Sequence, residues 1–287
     1  MRAGKTSQTA LLMAFWRALA DRGVSAVPGF SDPHSESFLR GGWRVTWRLI
    51  SRAGARMRPE RRARLAARFG ALIIRVAFID ARLLGAVRSG IRQVVLLGAG
   101  LDTRAWRLAP LGEARVFEVD HPDTQKDKRQ QVAALPEPAV PVTWVSVDFE
   151  RAELGAALAA AGHRADAPTV WVWEGVVTYL TDSALRDTLA TIRARSRPGS
   201  LLILHYHEPS PTAADRSFRR VFFSLLGEPQ IGQRTRDVIA DELTRAGFVV
   251  EEDAGIEAQS EAVAAEAPDN AMARMSRICV ARVDGGA

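Results

Sequence analysis

The chain has 287 residues, of which 47% are hydrophobic, so a globally disordered protein is excluded. The net charge of +6 suggests a nucleic-acid partner, but 18 of the 39 Lys and Arg residues and only 5 of the 33 acids fall in residues 1–92. The remaining sequence is net acidic, so we expect no nucleic-acid partner.

Cysteine content and hydropathy indicate where the protein is expected to be located. Cys279 is the only cysteine, so no internal disulfide can form, and we expect a cytoplasmic protein. No apolar run reaches the roughly 18 residues that a membrane span needs, so we expect no membrane partner. The apolar stretch over residues 10–20 repeats at helical spacing and is interrupted by Arg17, which favours an amphipathic helix over a signal peptide.

Residues 1–90 are predicted to form a helical cap or lid. Helices are expected over 8–21, 36–50 and 52–89, with Pro59 opening the last helix proper. The Arg-rich stretch over 52–68 is interpreted as a mostly solvated face, with nucleic-acid contact as the alternative. Arg75 interrupts an apolar stripe of the last helix, so it either pairs with a carboxylate or faces a ligand.

Residues 91–287 are predicted to form one α/β domain, because strands and helices alternate from residue 93 onwards. The predicted strands are 93–98, 114–120, 142–148, 169–174, 200–207, 248–254 and 276–283. The predicted helices are 102–109, 122–134, 151–162, 182–196, 211–226 and 235–246. A long connection over 255–275 suggests that the last two strands are antiparallel, and its Ala- and Glu-rich part, 255–271, is interpreted as a mobile surface segment.

The first predicted strand ends in a glycine turn that opens a helix. Gly98 and Gly100 permit positive φ and a close approach of backbone to a ligand. Thr103 stands where the dinucleotide fingerprint requires a third glycine. The turn therefore favours a nucleoside without a pyrophosphate, such as S-adenosylmethionine, over NAD.

Acids are the last residues of three predicted strands. They are Asp120, Asp148 and Glu174, and parallel strands would bring them to one edge of the sheet. Each alone could be a helix cap or a surface ion pair. Together they favour a ligand with hydroxyls and amines: Asp120 would bind the ribose, Asp148 with Phe149 the adenine, and Glu174 the amino-acid part. We expect no metal site.

The sequence resembles the leucine carboxyl methyltransferase family, in particular its bacterial small-molecule branch that includes polyketide carboxyl O-methyltransferases. The motifs that carry the resemblance are Ser7–Leu12, Phe30–Pro33, Arg75 with Ile79-Asp80, Leu97–Arg104, Phe117–Pro122, Val147–Phe149 and Glu174–Leu180. The resemblance implies a Rossmann-like class I methyltransferase with a seven-stranded, mostly parallel sheet, a reversed last strand and helices on both faces. It also implies that S-adenosylmethionine is held by residues matching Arg75, Gly98, Asp120, Asp148, Phe149 and Glu174, with the arginine meeting the cofactor carboxylate.

The methyl acceptor is expected to be a small molecule, and a carboxyl group is preferred over a hydroxyl. A carboxylate is already ionised near neutral pH and needs no base, whereas a hydroxyl needs one within hydrogen-bond reach. His205 and His207 are the candidate bases, although each could instead be a packed or capping histidine. Tyr179 and Arg104 could touch the acceptor or orient the cofactor.

Several aromatic residues are candidates for the wall of an apolar acceptor pocket or for ordinary core: Trp16, Phe30, Phe38, Phe222 and Phe223. The N-terminal helices are expected to close over the site as a lid. A homo-oligomer is left open by the sequence. The rival functions are a nucleic-acid methyltransferase, a nicotinamide dehydrogenase and a non-catalytic cofactor-binding scaffold.

Overall fold

The computed structural model describes residues 7–147, 153–210, 212–225 and 231–285. The helices are α1 (Gln8–Asp21), α2 (Gly41–Ala55), α3 (Pro59–Arg88), α4 (Arg104–Arg107), α5 (Pro122–Val132), α6 (Leu154–Ala160), α7 (Asp182–Ala194), α8 (Ala213–Leu225), α9 (Arg236–Arg245), α10 (Ile256–Ala262) and α11 (Ala271–Met275). The strands are β1 (Gln93–Leu97), β2 (Arg115–Asp120), β3 (Val142–Ser146), β4 (Thr169–Trp173), β5 (Leu201–His207), β6 (Phe248–Ala254) and β7 (Ser276–Val283). Short 3-10 helices cover Ser35–Phe38, Ala109–Leu111 and Val177–Tyr179.

The strands form one seven-stranded sheet in the order β3-β2-β1-β4-β5-β7-β6. Strands β1 to β5 pair in parallel, whereas β7 pairs antiparallel with both β5 and β6. The predicted mostly parallel sheet with a reversed last strand is therefore confirmed. Because parallel strands end at the same edge, the glycine turn after β1, Asp120 and Glu174 come to one rim.

Helices cover both faces of the sheet, as predicted, and this explains why the central strands lack polar alternation. Every residue of β1 and β4 is buried. Val95 and Leu97 belong to a core cluster with residues of α6, α7 and α9. Val94 and Leu96 point to the opposite face, where they share a cluster with the second half of α3.

The cap is built from α1, α2 and the first half of α3, which share a third core cluster. Trp16 of α1 stacks on Phe69 of α3, with ring centroids 3.6 Å apart. Phe15 contacts Trp43 of α2, with ring centroids 5.3 Å apart. The division into a cap (1–90) and a cofactor-binding domain (91–287) stays a prediction, and α3 packs in both cores, with its first half in the cap cluster and its second half on the sheet.

The predicted helix over 36–50 has the wrong bounds. A 3-10 helix covers Ser35–Phe38, and α2 begins only at Gly41 because Leu39 and Arg40 are extended, with ψ angles of 128° and 161°. Gly41 itself has a φ of +49°, which a glycine adopts readily. The predicted pairing of Trp43 and Trp47 on one helix face holds, since both are half-buried against the cap.

The interpretation of 255–271 as a mobile surface segment is wrong for residues 256–262. These residues form α10, which packs against α3. Its buried residues are Ile256, Gln259 and Ser260, and the Gln259 side chain donates to the Ala254 carbonyl at 2.8 Å. Within the described residues, none of the helices is both long and apolar enough to cross a bilayer.

Candidate functional site

The glycine turn at the end of β1 requires both of its glycines. Gly98 has a φ of +68° and Gly100 a φ of +45°. A Cβ atom on Gly98 would lie 2.3 Å from a Val176 methyl group, so a side chain there would collide with the segment that follows β4. A Cβ atom on Gly100 would lie 3.6 Å from Ala10, because α1 passes over the turn.

Asp120 ends β2 directly beside this turn. Its Oδ2 accepts from the Gly100 N–H at 2.6 Å, and its Oδ1 accepts from the His121 N–H at 2.6 Å. Burial raises the pKa of Asp120 above its ordinary value, and these two N–H groups oppose the rise. Each carboxylate oxygen keeps a further lone pair, so the fixed carboxylate can still accept from hydroxyl groups of a ligand.

Glu174 follows β4 and meets two arginines. Its Oε1 accepts from Arg75 Nε at 2.9 Å, and its Oε2 accepts from Arg104 at 2.8 Å. Burial opposes ionisation of Glu174, but the charges of Arg104 and Arg75 hold its pKa below the ordinary value. Arg75 also donates to the Met13 sulfur at 3.2 Å, which brings α1 to this side of the site.

The Arg104–Glu174 contact belongs to a buried ionic network that joins the cap to the rim. Arg104 also pairs with Asp102 and, at 2.7 Å, with Asp80. Arg107 pairs with the other oxygen of Asp80 at 2.7 Å. The surrounding acids raise the pKa of Arg104 well above its ordinary value despite its burial.

Asp32 connects this network to the N-terminal loop. Its Oδ2 accepts from Thr103 at 2.6 Å and from Ser35 at 2.5 Å, and it lies 3.1 Å from Arg17 and 3.7 Å from Arg107. The Asp32 side chain is completely buried. We did not expect a role for Asp32 or Arg107 from the sequence, although Phe30–Pro33 was among the motifs that carry the family resemblance.

The candidate bases lie at the end of β5. The Gly175 N–H donates to His205 Nδ1 at 3.3 Å, so Nε2 carries the proton and faces Ser276 Oγ at 3.1 Å. Burial, followed by the charges of Arg75 and His207, lowers the pKa of His205 well below its ordinary value. His207 is also buried, and its ring stands perpendicular to that of His205 at 4.9 Å between centroids.

Tyr179 lies in the 3-10 helix after Glu174, and its hydroxyl lies 3.3 Å from the Thr9 hydroxyl of α1. Asp148 and Phe149, the predicted adenine contacts, fall outside the described residues. Val147, the residue before them, donates its N–H to the Asp120 carbonyl at 2.9 Å, which brings the end of β3 to the rim.

The aromatic residues that the sequence suggested as pocket walls or core lie in different environments. Phe38 is fully buried in the cap cluster, and Trp16 belongs to the same cluster, so both contribute to the core of the cap. Phe30 is half-buried under the Arg107 guanidinium, 5.6 Å from its ring centroid. The side chains of Phe222 and Phe223 are not among those the structure describes.

Arg234 stabilises the segment that carries Tyr179, and no feature of the sequence pointed to it. It is buried, and it donates to the carbonyls of Val177 at 3.2 Å and Leu180 at 2.8 Å. It also pairs with Asp182 at 2.9 Å. Arg234 thus holds the turn that carries Tyr179 against the segment before α9.

The sequence is similar to that of one known protein family. The sequence model of the leucine carboxyl methyltransferase family matches residues 10–193. A candidate S-adenosyl-L-methionine-dependent methyltransferase of Mycolicibacterium paratuberculosis is 36% identical over 225 residues, 77% of this chain and 73% of that protein. Another from Streptomyces coelicolor is 39% identical over 198 residues, 67% of this chain and 66% of that protein.

Two solved structures share the fold over nearly the whole chain. A candidate methyltransferase from Thermobifida fusca superposes with a TM-score of 0.58 at 16% identity, covering 99% of this chain and 97% of that one. A DUF574 family protein from Streptomyces avermitilis superposes with a TM-score of 0.57 at 17% identity, covering 98% and 99%.

Proposed function

The chain belongs to the leucine carboxyl methyltransferase family of S-adenosylmethionine-dependent methyltransferases, and on that premise we propose that its acceptor is a small-molecule carboxylate, which it converts to a methyl ester. The chemistry of the rim supports this cofactor. S-adenosylmethionine carries ribose hydroxyls and an amino-acid tail with one carboxylate and one ammonium group. Asp120 offers a fixed acceptor for hydroxyls, and the rim places a cation, Arg75, beside an anion, Glu174.

Each rim residue has one role in the proposal. Asp120 accepts from the ribose, and the glycine turn allows the nucleoside to approach the backbone. Arg75 binds the carboxylate of the tail and Glu174 the ammonium. Asp148 and Phe149 hold the adenine. When bound, the cofactor supplies an electrophilic methyl group, so the protein has to position the acceptor and keep water out.

The first turns of α1 are placed to exclude water. Ala10 lies over Gly100, and Met13 touches Arg75. Thr9 is next to the Tyr179 hydroxyl. These contacts support the role of α1 as a lid over the rim, with Tyr179 between the lid and the acceptor.

The hydrogen bonding and the lowered pKa of His205 are the observations that favour a carboxylate acceptor. Transfer to a carboxylate oxygen releases no proton, whereas transfer to a hydroxyl requires a group that removes one. Both ring nitrogens of His205 already have partners, and its lowered pKa makes it a weak base. These observations support a reaction without a general base. A phenol or alcohol acceptor, with His205 or His207 as the base, is the alternative.

The cofactor roles are tested by calorimetry on Asp120→Asn. We expect the affinity for S-adenosylmethionine to fall about tenfold or more, because the amide loses a charged acceptor. Asp123→Asn is the matched control, since Asp123 is an exposed acid three residues away with a side chain 52% exposed. Equal affinities of Asp120→Asn and the wild type would refute the ribose role.

The acceptor class is tested by the pH dependence of methyl transfer in a screen of carboxylic acids and phenols. A carboxylate acceptor predicts a rate that is constant above neutral pH and that survives His205→Asn and His207→Asn. A rate that rises with pH and is lost in either variant would establish the hydroxyl alternative instead.

A further inference from the structure

The exposed side of α2 carries two parallel rows of side chains. Arg44, Arg48 and Arg52 recur every fourth residue, and Val45 and Leu49 form a second row beside them. The arginines are exposed, and Val45 and Leu49 are 58% and 63% exposed. The opposite side of the helix, with Trp43 and Trp47, packs in the cap core. We call the five exposed residues the α2 face.

The arginines of the α2 face lack anionic partners among the residues that the structure describes. Within the part of the chain that the structure describes, none of the three forms an ion pair or a hydrogen bond through its side chain. Glu60 is the only acid in the sequence between residues 37 and 79. Like charges four residues apart on a helix repel one another, and a merely solvated face usually mixes both signs.

The positive surface continues onto the start of α3. Arg58, Arg61 and Arg64 are exposed there, and Arg61 and Arg64 line a shallow apolar cavity of about 330 Å³ with Met57 and Leu65. Arg62 donates to the Gly54 carbonyl at 2.7 Å and so ties the start of α3 to the end of α2. Cations beside aliphatic side chains therefore extend over two connected helices.

We propose that the α2 face and the start of α3 dock the protein onto a bilayer surface that contains anionic lipid. The arginines contact lipid phosphates, and Val45 and Leu49 enter the boundary between headgroups and acyl chains. Aliphatic side chains give no stacking surface for nucleic-acid bases, which argues against RNA or DNA. A bilayer engages cations on several elements at once and needs no groove of matching shape, which favours it over an acidic protein.

This inference revises the sequence prediction of a solvated face without a membrane partner. It requires no spanning helix, because the contact is peripheral. The observation that changes the interpretation is the exposure of Val45 and Leu49 between unpaired arginines, which periodicity alone does not reveal. The proposal is independent of the acceptor chemistry proposed above.

Vesicle co-sedimentation of the full chain tests the proposal. We expect binding to phosphatidylcholine vesicles with roughly one-third phosphatidylglycerol, weaker binding at high salt, and no binding to phosphatidylcholine alone. The variant Arg44→Gln/Arg48→Gln/Arg52→Gln should lower the partition coefficient by about tenfold or more. No retention on the anionic vesicles overturns the proposal.

A matched control removes the same charge elsewhere. Arg88, Lys126 and Arg236 are exposed residues outside the α2 face, so Arg88→Gln/Lys126→Gln/Arg236→Gln should bind nearly as well as the wild type. Equal losses in the two triple variants would mean that net charge alone drives adsorption, which contradicts a docking face. Unchanged S-adenosylmethionine affinity in both variants establishes that they are folded.

The aliphatic row has its own test. Val45→Ser/Leu49→Ser keeps every charge, and we expect it to lose the binding that persists at high salt. Vesicle binding identical to that of the wild type would contradict insertion of these side chains. Binding of the wild type to poly-glutamate but not to anionic vesicles would overturn the proposal in favour of an acidic protein partner.

Discussion

Arginine occupies two contrasting settings, one where the cap meets the rim and one on the outer surface of the cap. Arginines between the cap and the rim have buried side chains and pair with acids: Arg17, Arg75, Arg104 and Arg107. Arginines on the outer side of α2 are exposed and have no partner among the described residues: Arg44, Arg48 and Arg52. A charge count over residues 1–92 treats most of these residues alike, although their environments differ completely.

The difference lies in what happens when one arginine is removed. A buried arginine compensates carboxylates that are mostly shielded from water, so its loss leaves uncompensated charge in the interior. An exposed arginine is solvated, and its removal leaves nothing unpaired. Substitutions in the two sets should therefore change stability by amounts that differ in size and in sign.

The largest effect is expected for Arg104→Met. Arg104 pairs with Asp80, Asp102 and Glu174 while its own side chain is 2% exposed. The variant should lose about 3–5 kcal/mol of unfolding free energy, because these carboxylates lose their shared cation. Guanidinium unfolding followed by tryptophan fluorescence measures the loss.

Arg44→Met on the outer set is the control for that experiment, and it should change the unfolding free energy by less than about 0.5 kcal/mol. Similar losses in Arg104→Met and Arg44→Met would remove the distinction between the inner and outer arginines.

Arg234 is an intermediate case, because it is buried but is satisfied mainly by carbonyl groups. We expect Arg234→Ala to lose about 2–3 kcal/mol, since hydrogen bonds from a charged donor are stronger than neutral ones. Hydrogen exchange should accelerate in residues 177–180, which carry Tyr179. Arg236→Ala, at an exposed position two residues away, should leave that exchange unchanged, and acceleration in both variants would refute the assignment.

Glu118 is a buried acid, and its titration should make the stability of the protein depend on pH. It pairs with Lys128 at 2.5 Å, yet burial, partly offset by Lys128, raises its pKa from 4.5 to about 7. Between these values the folded chain holds a proton that the unfolded chain has released. Stability should therefore fall as pH rises from about 4.5 to 7, by at most about 1.4 kcal/mol per pH unit.

Glu118→Gln should flatten that slope, because the amide does not titrate. Urea unfolding at several pH values within the window compares the variant with the wild type and with Glu113→Gln, a substitution at an exposed acid. Parallel pH profiles of Glu118→Gln and the wild type would show that Glu118 is ionised throughout the window.

The rim was predictable because strand ends are local features of the sequence. Gly98 and Glu174 directly follow apolar strands, Asp120 is the last residue of β2, and parallel pairing brings the three together. The contacts of Asp32 were not predictable in this way, because its partner Thr103 is 71 residues away and belongs to another element. Only the packing of the cap on the rim joins them.

Helix α10 was not predicted from the sequence, for a different reason. Its buried residues Ile256, Gln259 and Ser260 do follow helical spacing, but two of them are polar, so a search for apolar periodicity passes over them. Gln259 is buried because its amide satisfies the carbonyls of Ala254 and Ser276. Such hydrogen bonds depend on tertiary structure and leave no local pattern.

The smallest expected effect is a gain in stability for Arg48→Gln, opposite in sign to the loss expected for Arg104→Met. Arg48 lies between Arg44 and Arg52 at four-residue spacing on an exposed helix face, so Arg48→Gln removes two like-charge repulsions. Arginine and glutamine have similar helix propensities, and each repulsion is worth about 0.2–0.5 kcal/mol. The variant should therefore be more stable by roughly 0.4–1 kcal/mol at low salt, and the gain should shrink as salt screens the charges. Thermal unfolding at two salt concentrations measures it.

A loss of stability would mean that Arg48 has a partner within the fold. A gain in stability combined with weaker vesicle binding would show that the outer arginines are placed for an anionic surface and not for folding.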